Sequence, residues 1–474
     1  TDTILVGTID IMLSRAVNRG YAMGNGSWPI DFGLVGNDIQ WVFDEVQLMG
    51  PALVTSRQLQ VWRDRFGTFG PTASMWMSAT LDLDRLNTVD APAPTPETVV
   101  TLDREDLADQ DLRGRVQARR QVGQVQDGRS LTAAIRDHHR PGTRTIVFHN
   151  TVMRAQQTFA DLSTDAQAAE VVLIHSRFRP PEREAAMARV LMEPGPEGAI
   201  VVTTQALEAG VDITSACLFT ELAPWSSIVH RAEPCNRYGE QDDARLLWFE
   251  PEAAPPYEQD AIAASRIALT ELDGTRVTGQ DLAMTKVAEA LPLHATIRRK
   301  DLVDLFDTAP DLSGNDIDVS QFIREDEEVD VRFVWRQIVE GARAPKVLDK
   351  STPAPTRNEM CAVPISVARK AAKKDAVLWR FDTALDRWVQ CERPRDVVPG
   401  SVRRSCGPNR RGRTDDPRQW RGRPPDRPQS FARHSLGTGL AKRGFILSIS
   451  AWSSWARLTI SPRGSSGRQL LGRA

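Results

Sequence analysis

Two short apolar runs, each of which ends abruptly in charged, polar or glycine residues, constrain the fold of this chain most. The first is WVFDEVQLMG, from Trp41 to Gly50, and the second is IVVTTQALEAGVDI, from Ile200 to Ile213. This pattern is typical of a buried parallel strand that delivers functional groups to the edge of a sheet. Because the two runs lie far apart in the sequence, we expect two sheets whose edges hold a nucleotide between them.

Composition limits the class of protein. The chain has 474 residues, of which 41% are hydrophobic and 26% are charged, and this length is enough for two or three globular domains. Its five cysteines form no CxxC pair, so we expect a reduced, cytoplasmic compartment without disulfides or a zinc site. No apolar run approaches the roughly 20 residues that a membrane span needs, so no membrane partner is expected.

The net charge of −2 conceals a strong asymmetry. From Gly400 to Ala474 there are 15 Arg and one Lys against three Asp, a net charge of +13, whereas residues 1–399 carry −15. This tail is rich in Arg, Gly, Pro and Ser and has little periodicity, so we expect it to be disordered. It is either a basic arm that binds nucleic acid or the product of a shifted reading frame.

Strand and helix patterns alternate along most of the chain, which indicates an α/β fold with parallel sheets. TILVG near the N-terminus is interpreted as a strand, and the helix that follows it should stop at Gly20. We predict five regions: 1–92, the C-terminal part of a first lobe; 93–129, a linker; 130–255, a second lobe; 256–398, an accessory domain; and 399–474, the basic tail.

Two adjacent carboxylates follow the strand WVF. In a magnesium-dependent nucleoside triphosphatase, Asp44 would hold the metal that bridges the phosphates and Glu45 would activate the attacking water. The alternative is an acidic turn between a strand and a loop. Ser78 and Thr80, after the next apolar strand, would relay the nucleotide state to a polymer track, or would simply end that strand.

The most specific cluster follows the strand IVVT. It consists of five residues: Thr204, Gln205, Glu208, Gly210 and Asp212. Gly210 allows a close backbone approach to a ligand, Thr204 can bond a nucleic-acid phosphate, and Asp212 can bond the nucleotide side. The alternative is a strand followed by a helical turn and a glycine bend.

Further polar residues lie in segments where a helix or a strand end is predicted. Arg231 and Arg237 are placed on one helix, from which they would stabilise charge on a γ-phosphate, unless that helix is only a solvated basic surface. His175, Arg177, Arg179 and Asn150 either contact a nucleic-acid backbone or serve as caps and surface turns. The adjacent pair at 138–139, two histidines, is interpreted as a helix end because adjacent histidines do not share a helix face.

In combination and order, these segments resemble the motifs of superfamily 2 helicases. The most similar family is the CRISPR-associated helicase of type I interference complexes, in the subgroup with DEVQLMG in place of a DEAH box. The resemblance covers roughly residues 1–398, and the segments that carry it are GTIDIMLSRAVNRGYAM, DEVQLMG, MSATL, IVFHNTV, HSRFRPPERE, VVTTQALEAGVDI, HRAEPCNRYGE and LFDTAPDLSGNDIDVSQFIRE.

The resemblance implies a fold and a set of roles. The fold would be two tandem RecA-like α/β lobes with parallel sheets, the first incomplete, followed by a small accessory domain and the disordered basic tail. Enzymes of this family use ATP and Mg²⁺ and are recruited by a guide-RNA interference complex. They move single-stranded DNA from 3′ to 5′ and cut it with a separate nuclease domain. The implied residues are Asp44 for magnesium; Glu45 for water; Gln47, Ser78 and Thr80 for coupling; Thr8, Asn150, Arg177 and Thr204 for DNA; and Gly210, Asp212, Arg231 and Arg237 for the nucleotide.

The sequence departs from the family in three places. It contains no Gly-Lys dipeptide, so the phosphate-binding Walker A loop is missing. The arginine motif, usually QRAGRCNR, is HRAEPCNR here, so Glu233 replaces a glycine and Pro234 replaces an arginine that faces the γ-phosphate. No HD nuclease motif is found.

These departures leave three hypotheses open. We interpret the chain as an N-terminally truncated, incomplete helicase with little or no ATPase activity of its own. It is then either a helicase subunit completed by a neighbouring gene product or a remnant that binds DNA or the guide complex without hydrolysis. The third alternative is a superfamily 2 helicase outside CRISPR, such as an RNA helicase.

Overall fold

The computed structural model describes most of the chain up to residue 324 and shorter segments beyond it. The described residues are 3–21, 23–78, 83–95, 98–125, 130–164, 169–208, 210–250, 256–287, 293–307, 317–324, 330–335, 353–365, 367, 378–382, 387–391 and 445–448. They form two compact units, one that ends before Glu328 and one that begins there. None of the described helices is both long enough and apolar enough to cross a membrane.

The first lobe is built around a two-stranded parallel sheet. Strand β1 (Ile39–Phe43) pairs in parallel with β2 (Thr72–Trp76). Three helices accompany this sheet: α1 (Ile9–Ala16), α2 (Trp28–Gly36) and α3 (Pro51–Phe66). The alternation of β1 buries Trp41 and Phe43 and leaves Val42 53% exposed, so only one face of the sheet is covered within the described chain.

The N-terminal segment differs from its prediction. TILVG was predicted as a strand, but residues 3–8 have no regular structure, and Ile4 and Val6 are 90% and 94% exposed. The reason is that no described strand pairs with this segment. The helix after it ends at Ala16 rather than near Gly20, because Asn18 turns the chain with a left-handed φ of 57°.

The second lobe contains a seven-stranded sheet. Its strands are β3 (Arg120–Gln124), β4 (Arg144–Phe148), β5 (Glu170–Ile174), β6 (Ala199–Thr203), β7 (Cys217–Glu221), β8 (Arg245–Phe249) and β9 (Arg276–Val277). Their spatial order is β5-β6-β4-β7-β8-β3-β9, and every pairing is parallel except that of β9 with β3. The predicted α/β class with a parallel sheet is therefore confirmed.

Helices alternate with most strands of the second lobe. They are α4 (Gln110–Gln117), α5 (Leu131–His138), α6 (Val152–Ser163), α7 (Pro180–Leu191), α8 (Trp225–Ala232), α9 (Gln259–Glu271) and α10 (Gly279–Met284). Thr151 caps α6 by accepting a hydrogen bond from the backbone N–H of Arg154. Central strands such as β4, β6 and β7 are buried along their whole length, as continuous apolar runs predict.

The second lobe extends beyond its predicted boundaries. Strand β3 lies within the predicted linker, and its polar sequence RQVGQ offers only one strongly apolar residue, Val122, as a signal. Helix α9 and strand β9 lie beyond residue 255, yet Ile262, Leu269 and Val277 belong to the main core of the second-lobe sheet. The strand β7 was also missed, although it lies next to β4 in the middle of the sheet.

Two later stretches, residues 297–307 and 317–324, pack against the first lobe. The first of them contains helix α11 (Arg299–Phe306). Five of their apolar residues are buried in the first-lobe core: Ile297, Leu305, Val319, Phe322 and Ile323. Gln58 of α3 donates a hydrogen bond to the carbonyl of Ile297 at 3.2 Å and accepts one from its N–H at 3.1 Å. The region predicted as one accessory domain, 256–398, is thus divided between both lobes and the second unit.

The second unit contains short antiparallel strands. In one sheet, β10 (Asp330–Trp335) pairs with β11 (Met360–Pro364) and β14 (Phe445–Ser448); in another, β12 (Leu378–Asp382) pairs with β13 (Arg387–Cys391). Strand β14 comes from the tail that was predicted to be disordered, so that prediction does not hold for these four residues. The other residues of the tail lie outside the described part.

Candidate functional site

The two adjacent carboxylates lie where β1 ends. Asp44 is exposed, Glu45 is partly buried, and the Glu45 N–H donates a hydrogen bond to Asp44 Oδ1 at 3.0 Å. Glu45 has a left-handed backbone with φ of 50°, and the other described non-glycine residues with positive φ are all Asn or Asp. Those two types tolerate this conformation, whereas a glutamate there is strained. Strain of this kind is concentrated at functional sites, which sets Glu45 apart from an ordinary acidic turn.

A chain of hydrogen bonds connects Glu45 to the end of β2. The side-chain amide of Gln47 donates to the Glu45 carboxylate, and the Ser78 hydroxyl donates to Gln47 Oε1 at 2.5 Å. The backbone reinforces this link, because the N–H of Val46 donates to the carbonyl of Met77 at 3.1 Å. The structure therefore brings together three predicted site residues from two strand ends. Thr80 lies outside the described residues.

Arg231 lies on a helix, as predicted, but it is buried there. It was expected to line a nucleotide cleft, but its side chain is 0% exposed at the end of α8. It forms an ion pair with Glu208 at 2.7 Å, and its Nη1 donates to Asn150 Oδ1 at 2.9 Å and to the Glu221 carbonyl at 3.0 Å. Tyr257 Oη lies 3.4 Å from its Nη2. In this conformation Arg231 ties four segments of the second lobe together and does not reach solvent.

Asn150 and Thr204, which were expected to touch DNA, are both buried at 3% exposure. The side chain of Asn150 has partners on both sides, because it accepts from Arg231 and donates to the carbonyl of Leu222 at 2.9 Å. Its backbone N–H donates to the carboxylate of Glu221 at 2.6 Å. Thr204 is the cap residue before a short 3₁₀ turn. Contact with a strand through the Asn150 side chain would require these bonds to break.

Gly210, Asp212 and Arg237 lie on the exposed side of the second lobe. Gly210 has a φ of 76°, and a Cβ atom there would meet open space. Arg237 lies in the loop after α8, not on the predicted helix, and its Nε is 2.8 Å from Asp212 Oδ1. The carboxylate of Glu233 is 3.9 Å from the same guanidinium. Two acidic groups therefore partly neutralise the arginine that was expected to face the phosphates.

The remaining predicted residues are dispersed. Arg177 lies in the loop after β5, where its backbone N–H donates to Nδ1 of His175 at 3.1 Å, and Arg179 pairs with Glu182. Thr8 is exposed before α1 in the first lobe. The two histidines that were interpreted as a helix end form the last residue of α5 and its C-cap. No group of three or more His, Cys, Asp or Glu residues within the described segments could hold a metal ion by itself.

Three residues of the buried network were missed by the sequence analysis. Glu221 ends β7 and pairs with Arg154 of α6 at 2.7 Å, and Tyr257 accepts a hydrogen bond from Gln205 at 2.9 Å. Glu221 could have been found as a charged residue at the end of the apolar run ACLFTEL. The sequence around Tyr257 carries no comparable signal, because its role depends on where α9 packs.

Comparison with known proteins finds one family model that matches part of the second lobe. Residues 141–240 match the family model described as CRISPR-associated nuclease/helicase Cas3, C-terminal. The resemblance of this part of the chain to the Cas3 family is confirmed. The matched residues include β4 to β7, α8, and Arg231 with its partners Asn150, Glu208 and Glu221.

One solved structure supports the predicted fold. The structure of T. fusca Cas3 with AMPPNP is 17% identical, with a TM-score of 0.51, and the match covers 78% of this chain and 52% of that one. A structure described as a CRISPR RNA-guided surveillance complex, pre-nicking, is 16% identical with a TM-score of 0.48, covering 78% and 54%. The chain thus spans about half the length of these relatives. The predicted RecA-like fold is confirmed, and no curated protein matches the sequence.

Proposed function

We propose that the chain is the motor part of a CRISPR-associated, ATP-dependent DNA translocase. The family description supports a CRISPR-associated helicase, and the site geometry supports nucleotide hydrolysis at the first lobe. In this proposal Asp44 holds Mg²⁺, Glu45 activates the attacking water, and a guide-RNA interference complex delivers single-stranded DNA. Thr8 and Arg177 are proposed to contact the DNA backbone.

The chain of hydrogen bonds from Glu45 through Gln47 to Ser78 carries this proposal. A base that deprotonates water must be held in one orientation, and Gln47 holds the Glu45 carboxylate from one side. Because Ser78 binds the same amide, a movement at the end of β2 would displace Gln47 and reorient Glu45. This arrangement couples strand movement to the chemical step, whereas an acidic surface turn would need no such link.

The residues at the end of β1 fit a magnesium-bound triphosphate in part. Mg²⁺ usually takes one or two protein carboxylates and completes its coordination with water and phosphate oxygens, so exposed Asp44 is sufficient as a protein ligand. When bound, the ATP–magnesium complex supplies the phosphoryl group and polarises it. The sequence offers no Gly-Lys loop to cradle the phosphates, so we expect the isolated chain to hydrolyse ATP slowly.

A second candidate function is binding of DNA or the guide complex without hydrolysis. The observation that favours it is the surroundings of Arg237, which pairs with Asp212 and has Glu233 where the family has a glycine. Arginine fingers contribute about 10³–10⁵ to the rate in related enzymes, and a neutralised one contributes less. Pro234 replaces the second arginine altogether.

The decisive measurement is DNA-stimulated ATP turnover by the purified chain beside a Glu45→Gln variant. If the proposal is right, turnover is slow, rises with single-stranded DNA and falls to background in the variant. Glu105→Gln, an exposed glutamate in the connection between the lobes, is the matched control and should not change turnover. A folded sample with no turnover above Glu45→Gln contradicts hydrolysis and leaves the binding function.

A further inference from the structure

An aromatic pair lies at the carboxyl end of β5. The ring of Phe178 stacks on the imidazole of His175, with 4.3 Å between the ring centroids and 10° between the planes. His175 is 1% exposed, whereas Phe178 is only partly buried. Phe178 belongs to none of the three apolar core clusters found among the described residues. Its ring is therefore held at the surface and does not serve the core.

The imidazole ring of His175 is fixed in place. Nδ1 of His175 accepts a hydrogen bond from the backbone N–H of Arg177 at 3.1 Å, and Nε2 lies 3.3 Å from the side-chain amide of Gln156 on α6. Burial, with the positive charge of Arg177, lowers the pKa of His175 to about 4. The imidazole is neutral near pH 7, so it supports the phenyl ring without carrying a charge.

The charge beside this ring favours an anionic ligand. Arg177 is partly buried, and no carboxylate in the described part of the chain forms an ion pair with it. Its neighbour Arg179, in contrast, is occupied by Glu182. A flat apolar ring beside an uncompensated guanidinium matches a nucleic-acid strand, which offers a base face and a phosphate at adjacent positions. Paired bases are hidden within a duplex, so the strand must be single.

We propose that Phe178 stacks on an unpaired base of a single nucleic-acid strand, with Arg177 at the adjacent phosphate and His175 as a positioning residue. This inference rests on the proposed function, because it assumes that a strand crosses the carboxyl edge of the second-lobe sheet. It adds a contact to the base itself, which phosphate contacts alone do not supply. The stacking is tolerant of sequence, since every base has an aromatic face.

The test compares a strand with bases and a strand without them. Fluorescence anisotropy would measure binding of the whole chain to an oligothymidine and to an abasic oligonucleotide of the same length. Phe178→Ala should weaken oligothymidine binding roughly five- to a hundredfold and leave abasic binding unchanged. Phe178→Leu keeps most of the volume without the aromatic face and should show the same loss. Phe178→Trp keeps an aromatic face and should retain the affinity of the wild-type chain for oligothymidine.

Two further variants separate positioning from phosphate contact. His175→Ala should reduce binding only to the strand with bases, while Arg177→Gln should weaken both. The control is Phe69→Ala, which removes a fully exposed phenylalanine from the first lobe and should change neither affinity.

The outcomes distinguish failure of the stacking proposal from failure of the proposed function. If Phe178→Ala and Phe178→Leu weaken both oligonucleotides equally, or neither, the stacking role is wrong while DNA binding stands. If the folded wild-type chain binds neither oligonucleotide, the proposed function itself fails, and the stacking proposal fails with it. Circular dichroism of each variant establishes that the sample is folded.

Discussion

Arg231 of the second lobe and Arg19 of the first are both buried, and they have different kinds of hydrogen-bond partner. Arg231 of the second lobe is 0% exposed and pairs with a carboxylate, Glu208, inside the same lobe. Arg19 of the first lobe is 6% exposed, and its described hydrogen bonds to other segments go to backbone carbonyls at the end of α11, including those of Asp304 and Leu305. These carbonyls lie more than 280 residues away in the sequence.

This difference shows where each lobe obtains its stability. The second lobe supplies all the described hydrogen-bond partners of Arg231 itself, because they lie at or after the ends of strands of that lobe. The first lobe depends on distant residues, within 297–307 and 317–324, both for apolar core residues and for partners of its buried donors. We therefore expect substitution of Arg231 to lower the stability of the whole second lobe. Substitution of Arg19 should weaken the attachment of α11 to the first lobe.

The largest effect is expected for Arg231→Met. This change leaves Glu208 buried without its cation, and breaking a buried ion pair costs about 3–5 kcal/mol. Thermal or urea unfolding of the second lobe would measure the loss. The matched control is Arg237→Met, whose partner Asp212 is 63% exposed, so we expect a loss of about 1 kcal/mol or less.

A double variant sharpens this prediction. Replacing both Arg231 and Glu208 by methionine removes both charges, and apolar replacement of a whole buried pair is often neutral. Much of the lost stability should therefore return. If the double variant is less stable than Arg231→Met alone, the ion pair is not the main contribution of Arg231, and its other hydrogen bonds are.

A smaller, local effect is expected for Arg19→Met. The change removes the donors that cap the C-terminal carbonyls of α11 and the guanidinium that lies 4.5 Å above the Trp28 ring. Because the lost hydrogen bonds come from a charged donor, we expect the free energy of unfolding to fall by about 2–3 kcal/mol. Backbone amides of Arg299–Phe306 should exchange their hydrogens faster in the variant, whereas exchange in the second-lobe strands should not change.

Arg324→Met is the control for the attachment of α11. Arg324, in the second of the two later stretches, also contacts the first lobe, through Asp10, but its side chain is 51% exposed. Surface pairs contribute about 1 kcal/mol or less, so exchange in α11 should change little. Equal effects of the two variants would mean that the buried caps are no more important than a surface contact.

The sequence predicts the second lobe better than the first, for a physical reason. Buried parallel strands such as β4 and β6 are continuous apolar runs, which local patterns identify. The polar strand β3 and the packing of α11 depend on contacts between distant residues, which local patterns do not contain.

The candidate site shows the same division. Asp44, Glu45 and Ser78 could be placed from strand ends alone, and the structure brings Glu45 and Ser78 together through Gln47. The burial of Arg231 could not be predicted, because a helical arginine in sequence gives no sign of whether Glu208 and Tyr257 will enclose it.

The smallest effect, and the last test of the comparison, concerns His175 and pH. Its folded pKa of about 4 lies below the value near 6.5 expected in the unfolded chain, so the unfolded state binds more protons between these values. The free energy of unfolding should therefore fall as the pH decreases from 7 towards 4, by at most about 2 kcal/mol at pH 5. His175 directly follows β5, so this contribution belongs to the second lobe.

His175→Asn isolates this contribution. Asparagine keeps an acceptor for the N–H of Arg177 but does not titrate, and the carboxylates that titrate in both proteins cancel in the comparison. Urea unfolding at pH 7 and pH 5 should show a larger loss for the wild-type chain than for the variant. If the two proteins lose the same stability, His175 is not held neutral by the fold, and the ring that supports Phe178 would carry a charge in mildly acidic solution.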